Sequence, residues 1–331
     1  VNQSHAALLA DFDPTNSAHI AALVNLWNAA CGAGLALTPR LLEFNTRPPM
    51  GAVQAGRLAL QNDQPIGFAL ASALPHDPQT SPPQVGWIDA IAVLGNYQRR
   101  GIGSALLAWA EAWLRAQGCA RFRLGGSLRP FAPGYPVELG NIAFFKRRGY
   151  AERIGSRATW DVARDLGDYA PRAGSASHMT LRPAQPGDEK ILLEFLSREF
   201  PDRWRYEFEE FVRQQGRLSD YLLWLTERGV DGFARLTFED SERPIERFYP
   251  QRLPRPWGQL GPLGVSARRR GKGFGGALLD AGLVCLRDRG VRGCVIDWTG
   301  MLDFYGKFGF KPYRQYAIMT KPTDLIGRLA G

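Results

Sequence analysis

The feature that most limits what this chain can fold into is a segment that occurs twice. "IAVLGNYQRRGIGSALL" runs from Ile91 to Leu107, and "GPLGVSARRRGKGFGGALL" runs from Gly261 to Leu279. An offset of 172 residues aligns them without a gap. Val93 falls on Val265, Gly101 on Gly273, Gly103 on Gly275, and Leu106-Leu107 on Leu278-Leu279. The match continues through Leu114-Arg115 against Leu286-Arg287 and Gly118 against Gly290. Self-similarity at so long a period means duplication of a whole structural unit. The 331 residues therefore divide into two units of about 150 residues, each large enough for its own core.

The flanking sequence repeats the same plan. "DLGDYAPRAGSASH", residues 165–178, mixes Gly, Pro, Ser and Ala without an apolar period and reads as a linker. Domains are thus expected at 1–164 and 179–331. In the first, Asp13-Pro14 offers an N-cap and an N1 proline ahead of Ile20, Leu23, Val24 and Trp27 at helical spacing. In the second, "MTLRPA" is strand-like, and Ile191, Leu192, Phe195 and Leu196 share a helix face. "GRLALQNDQPIGFALASAL" and "DYLLWLTERGVDGFARLTF" each read as two strands about a polar turn, at Asn62-Asp63 and at Arg228-Gly229.

The duplicated segment itself reads strand, polar turn, helix. Glycines at the turn let successive backbone N–H groups point into one hollow, and the helix behind adds the positive end of its dipole. Such a spot attracts a phosphate or pyrophosphate. Arg99 and Arg100 in the first copy, or Arg270 and Lys272 in the second, add charge at the rim. A P-loop is excluded, because Lys272 is followed by Gly273 and no glycine holds the first position. Gly271, Gly273 and Gly276 spell G-x-G-x-x-G, but the first copy starts at Gly101 and has Leu106 at the third place. A turn that merely redirects the chain suits one copy better than two with basic flanks.

One pattern covers both copies. [Q/R]-x-x-G-x-G appears as Gln98-Arg99-Arg100-Gly101-Ile102-Gly103 and as Arg270-Gly271-Lys272-Gly273-Phe274-Gly275. Downstream, "FFKRRGY" (Phe144 to Tyr150) and "FYGKFGF" (Phe304 to Phe310) match each other. Together these resemble the acetyl-CoA signature of the GNAT superfamily of N-acetyltransferases, in two consecutive domains over almost the whole chain. The resemblance implies an α/β fold: two tandem domains, each a mixed, mostly antiparallel, splayed sheet flanked by helices. It implies that a pantetheine arm enters between the fourth and fifth strands, alongside Ile91, Ala92 and Val93 or Leu263, Gly264 and Val265. The pyrophosphate would sit on the amides of Gln98 to Ser104 (including Ile102 and Gly103), or of Arg270 to Gly276 (including Phe274 and Gly275).

The family's chemistry is direct attack of an amine on the thioester. The resemblance puts a thiolate-protonating tyrosine at Tyr305, where the first half has Phe145. A packing role for Tyr305 is the alternative. For a general base, Asp89 on the fourth strand has Gly261 as its counterpart. Asp297, at the end of the next strand of the second half, takes the proton, binds a cationic substrate, or caps the following helix. The second half is expected to carry the chemistry through Tyr305 and Asp297, with the first holding acyl-CoA or serving as a structural partner. Substrate choice is expected from two stretches. One is the helix of Trp204, Phe208, Phe211 and Val212, packed on the core, with Glu207, Glu209 and Glu210 available to a cationic acceptor. The other is a loop from Gly126 to Asn141, by which the first domain is twelve residues longer.

Composition removes other classes. The net charge of +9 is diffuse, with no like-charge run longer than three residues, as in Arg268-Arg269-Arg270, which favours a small polyanion over nucleic acid. His5, His19, His76 and His178 are scattered and no cysteines sit at ligand spacing, so no metal is expected. No stretch approaches a membrane span, and "VNQSHAALLADFDP" lacks the pattern of a secretory leader. Thiols without a disulfide framework suit a reducing, cytoplasmic setting. On the resemblance, the chain is expected to be an acetyl-CoA-dependent N-acetyltransferase acting on a primary amine of a small molecule or peptide. An acyl-CoA-binding module or sensor with little turnover stays open beside it.

Overall fold

The computed structural model describes residues 7–77, 80, 85–152, 158–172, 179–246 and 253–322. The chain forms two compact units. One comprises Val1–Thr159 with Gln315–Gly331, the other Trp160–Arg314.

The first half contributes β1 (Leu8–Asp11), α1 (Ser17–Cys31), α2 (Pro39–Asn45), β2 (Val53–Gln61) and β3 (Gln64–Ala73). It continues with β4 (Val85–Val93), α3 (Ile102–Ala116), β5 (Arg121–Leu124), β6 (Tyr135–Pro136), α4 (Ile142–Lys146) and β7 (Ala151–Glu152). Next come β8 (Thr159–Asp165), β9 (Thr180–Pro183), α5 (Glu189–Glu199), α6 (Arg203–Arg213), β10 (Tyr221–Thr226) and β11 (Gly229–Phe238). The chain ends through β12 (Trp257–Val265), α7 (Phe274–Asp288), β13 (Gly293–Thr299), α8 (Leu302–Gly306), β14 (Lys311–Ala317) and β15 (Met319–Pro322).

In the first unit the strand order is β1-β2-β3-β4-β5-β15-β7. Asn62 and Asp63, both at positive φ, make the β2–β3 hairpin turn. Only β4 and β5 run parallel, from Val85↔Arg121 to Ile88↔Leu124, because α3 crosses between them. Leu23, Leu42, Phe68, Leu106 and Phe122 are fully or almost fully buried among the residues that cover the sheet. The α1 helix starts later than Asp13-Pro14 suggests. Asn16 caps it, accepting from the amide of Ala18 at 2.9 Å. Asp13 is occupied by a local turn, accepting from Thr15 N–H and Oγ1.

The second unit repeats the order as β9-β10-β11-β12-β13-β8-β14. Its parallel pair, Trp257↔Gly293 to Gln259↔Val295, keeps the 172-residue offset from the first unit residue for residue. Leu260, Leu278, Leu283, Leu286 and Cys294 form its core. On α6, Phe208 and Phe211 are buried, but Val212 faces outward.

The strand beside the fifth position is where the division departs from the expected domains. β8, expected to end the first domain, pairs antiparallel with β13, with Ala163 opposite Val295. β15, expected to end the second, pairs with β5, with Lys321 opposite Phe122. The expected linker also begins inside the second unit, since Leu166 and Tyr169 are buried there, while residues 173–178 lie outside the described residues. An alternating pattern marks a strand without naming its neighbour, so long-range pairing of this kind is invisible locally.

Candidate active site

Both glycine turns adopt one backbone conformation. Gly101 (φ +85°) and Gly273 (φ +84°) are the left-handed N-caps of α3 and α7. Two residues earlier, Arg99 (φ 62°) and Gly271 (φ 73°) are also left-handed. This turn makes backbone N–H groups converge, and glycine takes it freely, whereas a side chain costs about 1–2 kcal/mol. The first copy accepts that strain at Arg99. The first motif residue has a structural role in each copy. Gln98 Nε2 donates to the Val93 carbonyl at 3.0 Å, and Arg270 Nε donates to the Val265 carbonyl at 3.3 Å.

In the first unit the turn opens onto a cavity of about 500 Å³, within the range of small-molecule sites. Ile91, Ala92, Val93, Gln98, Arg99, Gly101, Gly103 and Ser104 all line it. Two expected residues point elsewhere. Ile102 is buried in the core, and the Arg100 guanidinium lies over the Tyr97 ring at 5.4 Å. Arg148 completes the turn's surroundings. Its Nη2 donates to Ser104 Oγ at 2.5 Å and its guanidinium stacks on Phe144 at 3.8 Å. The "FFKRRGY" segment held that signal, but its aromatics drew the reading.

The cavity reaches Asp89, the first residue past the last parallel pair, where β4 and β5 separate. Asp89 is 4% exposed and accepts from Gln54 Nε2 and Ser72 Oγ, both at 2.9 Å. Burial pushes its carboxyl above the usual carboxylate range, against the pull of Ser127, Gln54 and Ser72. Phe145 and Tyr135 line the same space.

The second unit's gap is arranged differently. Gln259 Nε2 donates to Asp297 Oδ1 at 2.8 Å across the end of the parallel pair. Arg203 stacks on Trp298 at 4.6 Å. Gly264 lies under Phe200 and Trp204, whose rings stand 2.6 and 3.0 Å from where its Cβ would be. Leu263 packs against the core, Val265 is buried, and Phe274 stacks on Trp224 at 4.5 Å. Lys272 and Gly273 are exposed, Gly275 is half-buried, and Gly276 approaches the Phe308 ring.

The basic triplet is largely committed inward. Arg268 and Arg269 both bond the fully buried Asp231, which also accepts from Ser266 Oγ. Burial alone raises the Asp231 carboxyl, but these three partners outweigh it and hold it below the usual range. The α6 glutamates are likewise paired within their helix, Glu207 with Arg203, Glu209 with Arg205 and Glu210 with Arg213.

Tyr305 sits in α8, edge-on to Phe310. Burial, and then the Asp297 charge, push its hydroxyl up to about 12. Asp297 accepts from Gln259, and the cap position of the following helix is Met301. The Met301 amide donates to Thr299 Oγ1. Under the 172-residue offset, Asp297 matches Gly125 and Asp89 matches Gly261. Asp89 and Asp297 therefore stand on non-equivalent strands of the two parallel pairs. Among the described residues, no group of three His, Cys, Asp or Glu could hold a metal, and no helix is long and apolar enough to cross a membrane.

Comparison with known proteins agrees with this geometry. A mycothiol acetyltransferase of Salinispora arenicola (strain CNS-205) is 29% identical over 215 residues, 62% of this chain and 62% of that protein. A fungal multi-domain GH3 β-N-acetylglucosaminidase, solved for its GCN5-related glucosamine N-acetyltransferase region, superposes with a TM-score of 0.85 at 22% identity. That match covers 96% of this chain and 38% of the fungal one. A tandem GNAT protein from the clavulanic acid biosynthesis pathway gives a TM-score of 0.67 at 16% identity, covering 95% of this chain and 98% of its own. The chain thus spans less than two thirds of the first two relatives, and the structural likenesses speak to the fold. The Acetyltransferase (GNAT) family model matches residues 21–150 and again residues 189–310, so the chain belongs to the GNAT acetyltransferase family, once in each half.

Proposed function

We propose that the chain is an acetyl-CoA-dependent N-acetyltransferase that moves an acetyl group to a primary amine of a small molecule or peptide. The observation that carries this reading is the first unit's cavity, which runs from the Gly101 turn along β4 to Asp89. The residues fit an acyl-CoA donor. Beyond Ile88 the main chain of β4 has left its parallel partner, so Ile91 to Val93 are placed to pair with an extended arm. The amides at the start of α3, with Arg99 and Arg148 beside them, suit a pyrophosphate. Asp89, with its raised pKa, suits the proton of an incoming ammonium group, directly or through water. This puts the donor in the half from which sequence expected the lesser role. The four cysteines are free, and a cytoplasmic setting forms part of the proposal.

A second reading places chemistry in the second unit, favoured by the Asp297 charge close to Tyr305. Two matched variants separate them. Gly103→Glu and Gly275→Glu each bring a carboxylate to a turn with room for a Cβ. Coenzyme A binding by calorimetry and thiol release across an amine panel, glucosamine included, are then compared. Loss of both only in Gly103→Glu supports the first-unit site. Loss only in Gly275→Glu overturns it in favour of Tyr305 and Asp297. Binding without release for every acceptor leaves an acyl-CoA sensor.

A further inference from the structure

The first unit lacks a hydroxyl at the α4 position that in the second unit is Tyr305, because Phe145 stands there. We propose that Tyr135, carried by the inserted loop, takes over that role and delivers the proton to the departing thiolate in the first unit. The inference rests on the reading that the acyl-CoA donor occupies the first unit's cavity.

Tyr135 and Phe145 line that cavity together, with ring centroids 5.6 Å apart and planes at 65°. The phenol is therefore delivered to the side of the ring that replaced it, from another part of the chain. Its oxygen accepts the Asn141 N–H at 2.7 Å. That bond leaves the tyrosine's own proton available to donate, and it stabilises the phenolate once the proton has gone. Burial raises the hydroxyl above its ordinary value, against the Asn141 bond, so the group stays protonated near neutral pH. The other ionisable groups around the cavity are Cys31 on α1, Asp89 on β4, Arg99 at the turn, and Arg147 and Arg148 after α4. The Cys31 thiol, pushed up to about 12 by burial, is neutral there.

The position is built, not incidental. Tyr135 begins β6, where Tyr135 and Pro136 pair with Ala317 and Tyr316. Gly134 has no room for a Cβ, which would stand 2.7 Å from the Ala317 carbonyl oxygen. Gly126 N–H closes the loop on the Ala132 carbonyl at 2.8 Å. This loop is the stretch by which the first half exceeds the second, so the extra residues and the missing helix tyrosine occur in the same unit.

In the step, the amine nitrogen bonds to the thioester carbonyl carbon, and the carbon–sulfur bond breaks with its electron pair going to sulfur. The Tyr135 proton moves to sulfur, giving the free thiol. The proton lost by the amine passes to Asp89 or water, and solvent returns a proton to the phenolate. The sum is amine plus thioester to amide plus thiol.

The test compares the wild-type chain with Tyr135→Phe and with Tyr135→Phe/Phe145→Tyr. Coenzyme A binding is unchanged in Tyr135→Phe, kcat falls about 10- to 100-fold, and the alkaline limb of the kcat profile disappears. The double variant, with its hydroxyl back on the helix, recovers part of kcat. A kcat within twofold of wild type, or loss of coenzyme A binding, overturns the inference. Where Tyr135→Phe fails to fold, replacement of Tyr135 by 3-fluorotyrosine keeps the shape. It is expected to move the alkaline limb to lower pH, and an unmoved limb overturns the inference. Gly103→Glu is run beside these. If it leaves binding and transfer intact, the donor-site reading fails. If it abolishes both while Tyr135→Phe does not slow transfer, only the role of Tyr135 fails.

Discussion

Lys321 Nζ donates to Glu111 Oε2 at 2.8 Å and to Oε1 at 2.9 Å, joining residues 210 positions apart. Glu111 lies on α3 and is 6% exposed, and it also accepts from Tyr150 Oη and Arg115. The pair clamps β15 onto the sheet of the unit that holds the cavity. Removing the ammonium leaves a buried carboxylate with less compensation. Lys321→Met is therefore expected to destabilise the first unit by about 2 kcal/mol, because Arg115 and Tyr150 remain as partners. Urea titration monitored at each unit checks this, and a loss confined to the second unit would contradict it.

Arg99 offers a case where stability and binding move in opposite directions. Its φ of 62° matches the 73° of Gly271 at the equivalent place. Arg99→Gly relieves the left-handed strain and is expected to stabilise the fold by about 0.5–1 kcal/mol, less the entropy that glycine adds to the unfolded chain. The same change removes a cation from the cavity lining, so coenzyme A binding should weaken several-fold. Thermal melts with and without coenzyme A measure both effects.

Asp89 links stability to pH. Its folded pKa lies above the ordinary value, so the native state binds its proton more tightly than the unfolded chain does. This contribution favours the fold at acid pH and is lost as pH rises through the folded value. Asp89→Asn should thus raise stability at neutral pH relative to wild type, with the difference shrinking as pH falls into the usual carboxylate range. Transfer should drop about 10- to 100-fold. Denaturant midpoints at several pH values, beside initial rates, test the pair of effects.

Gly134→Ala probes the loop without touching an ionisable group. The added Cβ would stand 2.7 Å from a carbonyl oxygen, forcing β6 away at a cost of about 1–3 kcal/mol. Transfer should fall while Gly275→Glu in the other unit leaves it unaffected. Equal stability of Gly134→Ala and wild type would show that the loop yields freely.

Much of this architecture was legible in the residues. The duplication placed both turns and the helices α3 and α7 behind them, since glycine conformation and helical spacing decide them. Ile20, Leu23, Val24 and Trp27 packed as their spacing required. The destinations of β8 and β15 were not legible, because a short strand's own residues do not name the sheet edge it joins. The use of Arg268 and Arg269 was hidden for a similar reason. Their partner Asp231 lies on β11, some 37 residues away, and a charge run gives no hint of a buried carboxylate facing it. Tyr135 escaped notice because a loop rich in proline and glycine carries no period from which its direction could be read.

The placement of β15 also has a consequence for synthesis. The first half is made first, yet its sheet stays open beside β5 until residue 322 has emerged, after the whole second unit. On the ribosome, the half bearing the cavity would wait with a bare strand edge while its later-made twin closes around β8, which is already available. Order of completion is thus the reverse of order of translation, and the interval exposes an edge that other chains can pair with. A chain released before that point would carry every residue of the cavity lining and still lack the strand that holds them in place.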